Sequence, residues 1–347
     1  MKPLVSILIS AYNAEKWIGY TLESAIAQTW PRKEIIVVND GSTDATAEVV
    51  QRFATNGVTL VSTKNQGQSA AQNHGFRHSH GDYIQWLDSD DLLAPDKIER
   101  QLAALRSGDS KRVLLSSPWA PFYFRTRRAH FVHSLLCQDL SPVEWLLRKM
   151  GENLHMGNAT WLVSRELAEA AGRWDESLVY DQDGEYFTRV LLASEGTRFV
   201  PETGFFYRSS SSHRVSHIGK SDRKRDSLLL SMKLHMQYLR SLEDSERVRK
   251  ACAAYLQSWC WAFYPDRVAE LQALASELKA RLEPPRLTWK FAWMKPILGQ
   301  KAARWAQTSL PMFKESCIRN FDNVMYKLEA RRGAANLGVG ALQKFTK

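Results

Sequence analysis

Residues 33–63 read KEIIVVNDGSTDATAEVVQRFATNGVTLVST. They predict a strand over residues 34–38, a helix over residues 43–55 and a second strand over residues 58–62, because a β-branched run, a polar turn at Gly41 and an amphipathic stretch follow one another. Two strands joined by a helix of this length form a βαβ unit, in which the strands are parallel. The segment therefore predicts an α/β fold.

The same alternation continues outward from this unit. Residues 15–28 have a helical pattern, and short apolar runs at residues 5–10, 83–87 and 113–116 predict further strands. We therefore expect a Rossmann-like domain with a mostly parallel central sheet.

Polar motifs follow three of the predicted strands. They are SAYN at residues 10–13, NDGS at residues 39–42 and DSDD at residues 88–91. Ligands on parallel sheets bind at the carboxyl ends of the strands, so the three motifs predict one binding site. The Gly-x-Gly-x-x-Gly and Gly-x-x-x-x-Gly-Lys-Ser/Thr motifs are absent from the sequence, which argues against a dinucleotide fingerprint and a P-loop.

The third motif concentrates negative charge, with three carboxylates in four positions. Like charges this close raise one another's pKa and repel unless a cation lies between them. A hard divalent cation is the ligand that carboxylate oxygens favour. The motif therefore predicts a metal site, while Asp91 is expected to cap the turn that follows it.

Four long stretches of the sequence resemble glycosyltransferase family 2 in their order and spacing. They are PLVSILISAYNAEKWIGYTLESAIAQTW, EIIVVNDGSTDAT, NQGQSAAQNHGFRHSHGDYIQWLDSDDLLAPDKI and GRWDESLVYDQDGEYFTRVLL. The resemblance covers roughly residues 3–210 and implies an inverting, nucleotide-sugar-dependent enzyme with the GT-A fold. We accordingly predict a catalytic domain over residues 1–220 and a helical region over residues 221–347.

The resemblance also implies roles for individual residues. The Asp-x-Asp pair matches Asp88 and Asp90, with Asp90 the metal ligand for Mn²⁺ or Mg²⁺ and Asp88 reaching the ribose or a metal-bound water. Asp40 is expected to accept a hydrogen bond from the ribose or the base. The expected nucleobase contacts are Ala11, Tyr12 and Asn13, with Tyr12 stacking on the base.

The general base is expected in the segment YDQDGEYFTR at residues 180–189. Inverting transfer needs a carboxylate that takes the proton of the acceptor hydroxyl. The resemblance places Asp183 in that role, with Asp181 as the alternative if the register differs. A third interpretation is that these acids only begin a helix.

The sequence departs from the family at Gln72, where many members carry an arginine that touches base or phosphate. Arg208, Arg214 and Lys220 are candidate replacements, although a role as a surface charge is favoured for each. His213 and His217 are candidates for a third metal ligand, although a surface-loop role is favoured for both. The acceptor stretch contains His155, Trp161 and Trp174, and for each tryptophan alone a place in the core is favoured.

Beyond residue 221 the pattern becomes helical, over residues 226–242, 246–263 and 265–282. Residues 284–347 hold twelve basic and three acidic residues, a net charge of +9 out of the chain's +10. Basic residues interleaved with tryptophans at 289, 293 and 305 are typical of a helix lying on an anionic membrane surface. Packing on the catalytic domain or on a homodimer partner is the alternative.

The four cysteines are far apart, and no window holds eighteen consecutive apolar residues. These features argue against a disulfide framework, a zinc ribbon and a transmembrane helix. We expect a cytoplasmic, non-processive transferase at the inner face of the plasma membrane. Its donor is expected to be a UDP-sugar and its acceptor glycan- or lipid-linked, in surface polysaccharide synthesis. A non-catalytic sugar-nucleotide binder is the second hypothesis, and nucleic acid is not an expected partner.

Overall fold

The computed structural model describes residues 2–209, 218 and 221–331. Its strands are β1 (Val5–Ala11), β2 (Lys33–Asp40), β3 (Val58–Thr63), β4 (Tyr83–Asp88), β5 (Leu92–Leu93), β6 (Val113–Ser116), β7 (Trp119–Phe122), β8 (Val163–Ser164), β9 (Gly196–Phe199) and β10 (Phe205–Arg208). Its helices are α1 (Ile18–Ile26), α2 (Thr46–Gln51), α3 (Gln68–His78), α4 (Lys97–Ala103), α5 (Pro142–Gly151), α6 (Arg165–Ala171), α7 (Gln182–Ala193), α8 (Asp222–Leu242), α9 (Glu246–Phe263), α10 (Val268–Glu277), α11 (Trp289–Ala292) and α12 (Lys295–Arg331). Gly299 interrupts α12, with φ 81°.

The central sheet has the order β3-β2-β1-β4-β8. Strands β1 to β4 run parallel, and β8 pairs antiparallel with β4. The apolar runs that predict these strands are buried, as expected of a sheet covered by helices on both faces. The predicted α/β class and mostly parallel sheet are therefore confirmed.

Helix α1 begins three residues later than its apolar pattern predicts, and α2 is shorter than predicted. The polar side chains at the predicted start bind across to the neighbouring loop instead. Glu15 accepts the backbone N–H of Ala45 at 2.9 Å, and Asp44 accepts that of Glu15 at 3.1 Å. These bonds fasten the loop after β1 to the loop after β2.

Two smaller sheets complete the domain, in the orders β5-β10-β7 and β6-β9. The first matters for the site because β5 begins directly after the DSDD motif. Strands β7 and β10 are parallel, with Trp119 opposite Phe205.

Helices α8 to α10 share a hydrophobic core with the sheet. One continuous cluster joins Ile36 and Trp86 of the sheet strands to Leu256 of α9 and Leu274 of α10. The packing is therefore continuous across residue 221, where the sequence changes from alternating strands to helices.

The end of α12 folds back on the catalytic domain through a cluster that we call the tail clamp, formed by Arg125, Asp322 and Glu329. Arg125 is 2% exposed and donates to Asp322 at 2.7 Å and to Glu329 at 2.8 Å. Asp322 also accepts the backbone N–H of Arg125, and the Tyr326 hydroxyl lies 3.0 Å from that of Tyr20. This part of the tail packs on the protein, as the alternative interpretation of the sequence holds.

Candidate active site

The ends of the parallel strands bring the three polar motifs together. In the sheet register Ser10 of β1 lies opposite Asp88 of β4, and Ala11 lies opposite Asn39 of β2. The SAYN, NDGS and DSDD motifs therefore meet at one edge of the sheet, as the sequence predicts.

Asp88 lies half-buried at the end of β4, where amide side chains hold its carboxylate. Its Oδ1 accepts from Gln68 Nε2 at 3.0 Å and from Asn158 Nδ2 at 3.2 Å. Gln182 Nε2 in turn donates to Gln68 Oε1 at 2.9 Å. An amide chain thus connects helix α7, which carries Asp183, to the end of β4.

Negative charge is concentrated around this carboxylate. Burial raises the pKa of Asp88 to about 7, and the carboxylates of Asp90 and Asp183 add to the increase. The hydrogen bonds from Asn158 and Gln68 act in the opposite direction because they stabilise the ionised form. Three acidic side chains from two distant segments therefore act on one another within this site.

Arg208 supports the loop that carries Asp90 and Asp91. The guanidinium lies over the rings of Trp17, at 4.1 Å, and Phe122, at 4.4 Å, and donates to the Asp90 carbonyl at 2.7 Å. Burial lowers the pKa of Arg208 to about 10. The sequence offers this arginine as a candidate phosphate contact, but in the structure its guanidinium stabilises the backbone of the DSDD loop.

Asp91 has a different partner from the one expected. It is 1% exposed and accepts the backbone N–H of Arg208 at 2.8 Å, so it joins the loop to β10. Burial, followed by the charges of Asp90 and Asp88, raises its pKa well above the ordinary range. The prediction that Asp91 caps the following turn is therefore wrong, because the chain continues there as strand β5.

The loop after β1 presents one aromatic ring and buries its neighbour. The Tyr12 side chain is 52% exposed, whereas Ala11 is buried at 2%. Asn13 has a left-handed backbone, with φ 49°, and its Oδ1 accepts the backbone N–H of Thr43 at 2.8 Å. Tyr12 is therefore held on a fixed loop with its ring open to solvent, which suits the predicted stacking on a base.

Asp40 lies at the end of β2 and is 4% exposed. Its two carboxylate oxygens accept the backbone N–H groups of Gln66 and Gly67, at 2.9 and 2.8 Å. Asp40 therefore fixes the loop that leads into α3. Its predicted contact with the nucleotide stays a prediction.

Gln72 is 1% exposed and lies between α3 and β1, where its Nε2 is 3.3 Å from Ser10 Oγ. Of the other charged candidates, His213, Arg214, His217 and Lys220 lie outside the described residues.

The candidate base loop is held by helix α8. Ser227 Oγ accepts the backbone N–H groups of Val179 and Tyr180, both at 3.0 Å, and Ser231 donates to the carboxylate of Asp181. Asp181 has a left-handed backbone, with φ 58°. Its carboxylate is thus engaged in fixing the loop, which favours Asp183 over Asp181 as the base.

Asp183 lies in the first turn of α7, near enough to Asp88 for its charge to raise the pKa of that carboxylate. Burial raises its pKa, His155 lowers it and Asp181 raises it again. A carboxylate whose proton affinity is raised in this way is suited to general base catalysis near neutral pH.

Trp161 and Trp174, two of the candidate acceptor residues, belong to the core. They are 1% and 3% exposed, and Trp174 stacks on Tyr186 with ring centroids 4.1 Å apart. The favoured interpretation of both tryptophans is therefore confirmed.

Residues 6–150 match the sequence model of the family described as Glycosyl transferase family 2. The chain carries a glycosyltransferase family 2 domain. It is 32% identical over 192 residues to the uncharacterized glycosyltransferase RT0329 of Rickettsia typhi, and the match covers 55% of this chain and 60% of that protein. The chain thus spans about 60% of the length of the first curated relatives that it matches.

Two solved structures share the GT-A-like fold of this family 2 domain. S. aureus TarS 1-349 in complex with UDP-GlcNAc matches with a TM-score of 0.58 and 16% identity, covering 80% of this chain and 86% of that one. The mannosyltransferase PcManGT from Pyrobaculum calidifontis, in complex with GDP-Man and Mn²⁺, matches with a TM-score of 0.52 and 19% identity, covering 88% and 87%. The predicted fold is confirmed.

The family 2 domain offers two carboxylates, Asp88 and Asp90, to a metal ion. In the part of the chain that the structure describes, no group of three or more His, Cys, Asp or Glu side chains is arranged to hold one. Two carboxylates fit a hard cation whose other ligands are phosphate oxygens and water. The charge repulsion around Asp88 is also what such a cation would relieve.

Sequence reasoning missed the amide chain through Gln68, Asn158 and Gln182. Glutamine and asparagine are frequent in ordinary loops and helix ends, so no local pattern marks them. Only the fold brings Gln68 and Asn158 to the Asp88 carboxylate and Gln182 to Gln68.

Proposed function

We propose that this chain transfers a sugar, with inversion, from a nucleotide diphosphate sugar to an acceptor hydroxyl. The observation that carries the proposal is the convergence of Asp183 of α7 with Asp88 and Asp90 of the DSDD motif, two segments far apart in the sequence, such that the charges of Asp90 and Asp183 both act on Asp88. A nucleotide binder without turnover needs the loops after β1 and β2, but it has no need of an acid facing them from α7.

Asp90 would ligate the divalent cation, Mn²⁺ or Mg²⁺, and Asp88 would reach the ribose or a metal-bound water. A bound cation would offset the negative charge that develops on the diphosphate. The GDP-Man and Mn²⁺ complex of the mannosyltransferase supports a metal-dependent donor site, and the UDP-GlcNAc complex of TarS supports a UDP-sugar. Tyr12 would stack on the base.

Asp183 would take the proton of the acceptor hydroxyl. As the oxygen of the acceptor hydroxyl forms the new bond to the anomeric carbon, the bond from that carbon to the diphosphate oxygen breaks. The nucleoside diphosphate leaves with the electron pair from the opposite face, so the configuration inverts. The amide chain from Gln182 to Asp88 would fix the position of α7, which carries Asp183, relative to the end of β4.

We further propose that α11 and α12 place the protein on an anionic membrane surface at the cytoplasmic face. Among the described residues no helix is long and apolar enough to span a bilayer. Apolar side chains nevertheless lie exposed on α12 at helical spacing, namely Leu310 (49%), Phe313 (69%), Phe321 (55%), Val324 (55%) and Leu328 (42%). Trp289 and Trp293 are 81% and 61% exposed.

The charges of α12 also support an orientation in which the exposed apolar stripe faces the membrane. Asp322 and Glu329, seven residues apart on one face, are bound to Arg125 of the catalytic domain. Lys314 and Lys327 are exposed, on the side of the helix that carries the apolar stripe. An apolar stripe flanked by lysines is complementary to anionic lipid. A homodimer formed through the stripe is the alternative, and a glycan- or lipid-linked acceptor fits the membrane location.

The proposed activity is tested by hydrolysis and transfer from a panel of UDP-, GDP- and dTDP-sugars, with MnCl₂, MgCl₂ or EDTA. Asp90→Asn should abolish metal-dependent turnover, because an amide is a poor ligand for a hard cation. Asp183→Asn should bind the nucleotide but lose transfer by ~10²-fold or more.

Three results would contradict the assignment. Full activity in EDTA would exclude the metal role, and loss of transfer in Asp181→Asn with an active Asp183→Asn would reassign the base. Tight nucleotide binding with no turnover of any donor would support the non-catalytic binder.

A further inference from the structure

Three rings form a cluster on the small sheet beside the candidate base. Trp119 of β7 is half-buried, and it meets His155 edge-on at 6.3 Å and Tyr207 edge-on at 5.7 Å. Trp119 pairs with Phe205 in the sheet, so Trp119 and Tyr207 project from the same face. His155 is exposed and Tyr207 half-buried, so the cluster is open to solvent on one side.

The cluster lies next to the reacting groups. His155 is near enough to the Asp183 carboxylate to lower its pKa. Asn158, three residues after His155, donates to Asp88. Three residues of extended chain span at most ~10 Å, which is about the length of two sugar rings.

The segment that carries His155 leads to the side of β4 away from the nucleotide loops. The sheet order places β1 and β2, with Tyr12 and Asp40 at their ends, on one side of β4, and β8 on the other. The segment from His155 to Asn158 leads through a short 3-10 turn at Asn158–Thr160 to β8. His155, and through it the ring of Trp119, therefore approaches Asp183 from the β8 side of β4.

We propose that Trp119, with the rings of His155 and Tyr207 nearly perpendicular to its own, forms the subsite for the sugar ring of the acceptor. This proposal rests on the proposed function and specifies its acceptor as a glycoside. An indole face suits the C–H face of a pyranose, while the imidazole and the phenol offer polar groups to its hydroxyls. The subsite would hold the ring that carries the nucleophilic hydroxyl against Asp183.

The test is saturation-transfer NMR of full-length protein with UDP, Mg²⁺ and a panel of octyl β-glucoside, octyl β-galactoside and octyl N-acetyl-β-glucosaminide. Trp119→Leu, which keeps an apolar side chain but removes the ring, should weaken glycoside binding ~10-fold or more. Trp119→Phe should stay within ~3-fold of the parent and shows that the site still folds. The matched control is Trp261→Leu, since Trp261 is 53% exposed on α9.

Equal glycoside binding by Trp119→Leu and the parent would overturn the proposal, as would an equal loss in Trp261→Leu. Absence of binding by any glycoside to the parent would overturn it as well. The measurement needs no turnover, so it is independent of the proposed activity. A parent that binds glycosides through Trp119 but hydrolyses no donor would retain the subsite and refute the transferase.

Discussion

The concentration of acids at the end of β4 predicts that Asp88 destabilises the metal-free protein at neutral and alkaline pH. The folded chain holds the pKa of Asp88 at about 7, against an ordinary value of 3.8. The stability that protonated Asp88 contributes is therefore fully present below about pH 4 and is lost as the pH rises through 7, because ionisation of Asp88 is less favourable in the folded state.

Asp88→Asn removes this ionisation and should stabilise the protein at pH 8. The increase in pKa corresponds to about 4 kcal/mol at most, since a tenfold change in proton affinity is worth about 1.4 kcal/mol. Asp88 keeps some contact with solvent, so we expect about 2 kcal/mol. Both hydrogen bonds to Asp88 reach Oδ1, which an asparagine retains.

The assay is thermal unfolding in EDTA at pH 8 and at pH 4.5. For a chain of this length about 2 kcal/mol should raise Tm by about 3 °C at pH 8, and the difference should shrink to about a quarter of that at pH 4.5, where most unfolded Asp88 is still ionised. In the presence of UDP and MnCl₂ the order should reverse, because the parent gains more from the ligands than the variant. A variant less stable than the parent at pH 8, or equally stabilised at both pH values, would refute the reasoning.

Two further predictions concern the tail. Arg125→Ala leaves Asp322 buried without its cation, so it should speed hydrogen exchange in the second half of α12 by on the order of 10²-fold. The control is Arg127→Ala, because Arg127 is an exposed partner of Glu329, and it should change the exchange rate by less than ~5-fold. Similar effects of the two variants would mean that the clamp does not hold the helix. Full-length protein should sediment with anionic vesicles, less at moderate salt, while a chain ending at residue 283 and the Phe313→Ser/Phe321→Ser variant should stay in the supernatant. Equal sedimentation of all three would show that the tail is not the anchor, and a parent dimer lost in the Phe variant would favour the homodimer.

The strands and the three polar motifs could be predicted from the sequence because their signals are local. A β-branched run such as residues 34–38 forms a buried strand in almost any parallel sheet, and β2 extends it by only one residue at its start and two at its end. The meeting of the three polar motifs could be predicted for a similar reason, since the carboxyl ends of parallel strands lie at the same edge of the sheet. The ends of α1 and α2 could not be predicted, because Glu15 and Asp44 bind across loops rather than within a helix.

The contacts that position the site are long-range and have no local pattern. Gln68 and Gln182 are 114 residues apart, and Arg125 and Asp322 are 197 apart. Their side chains are ordinary surface types in the sequence, and burial alone gives them a role. Trp119 was missed for a related reason, since its strand has four residues and contains Pro121, which weakens the strand pattern.

The support that α8 gives to the candidate base loop has a consequence for how the site is assembled during synthesis. Ser227 and Ser231 hold residues 179–181, so the groups that orient Asp183 leave the ribosome about fifty residues after it. A nascent chain that ends near residue 210 already contains Asp88, Asp90 and Asp183 but lacks the helix that orients the last of them. Catalytic competence is therefore expected only after α8 has been synthesised, and an exchange of the base loop with a relative would have to include α8 to keep the loop in place.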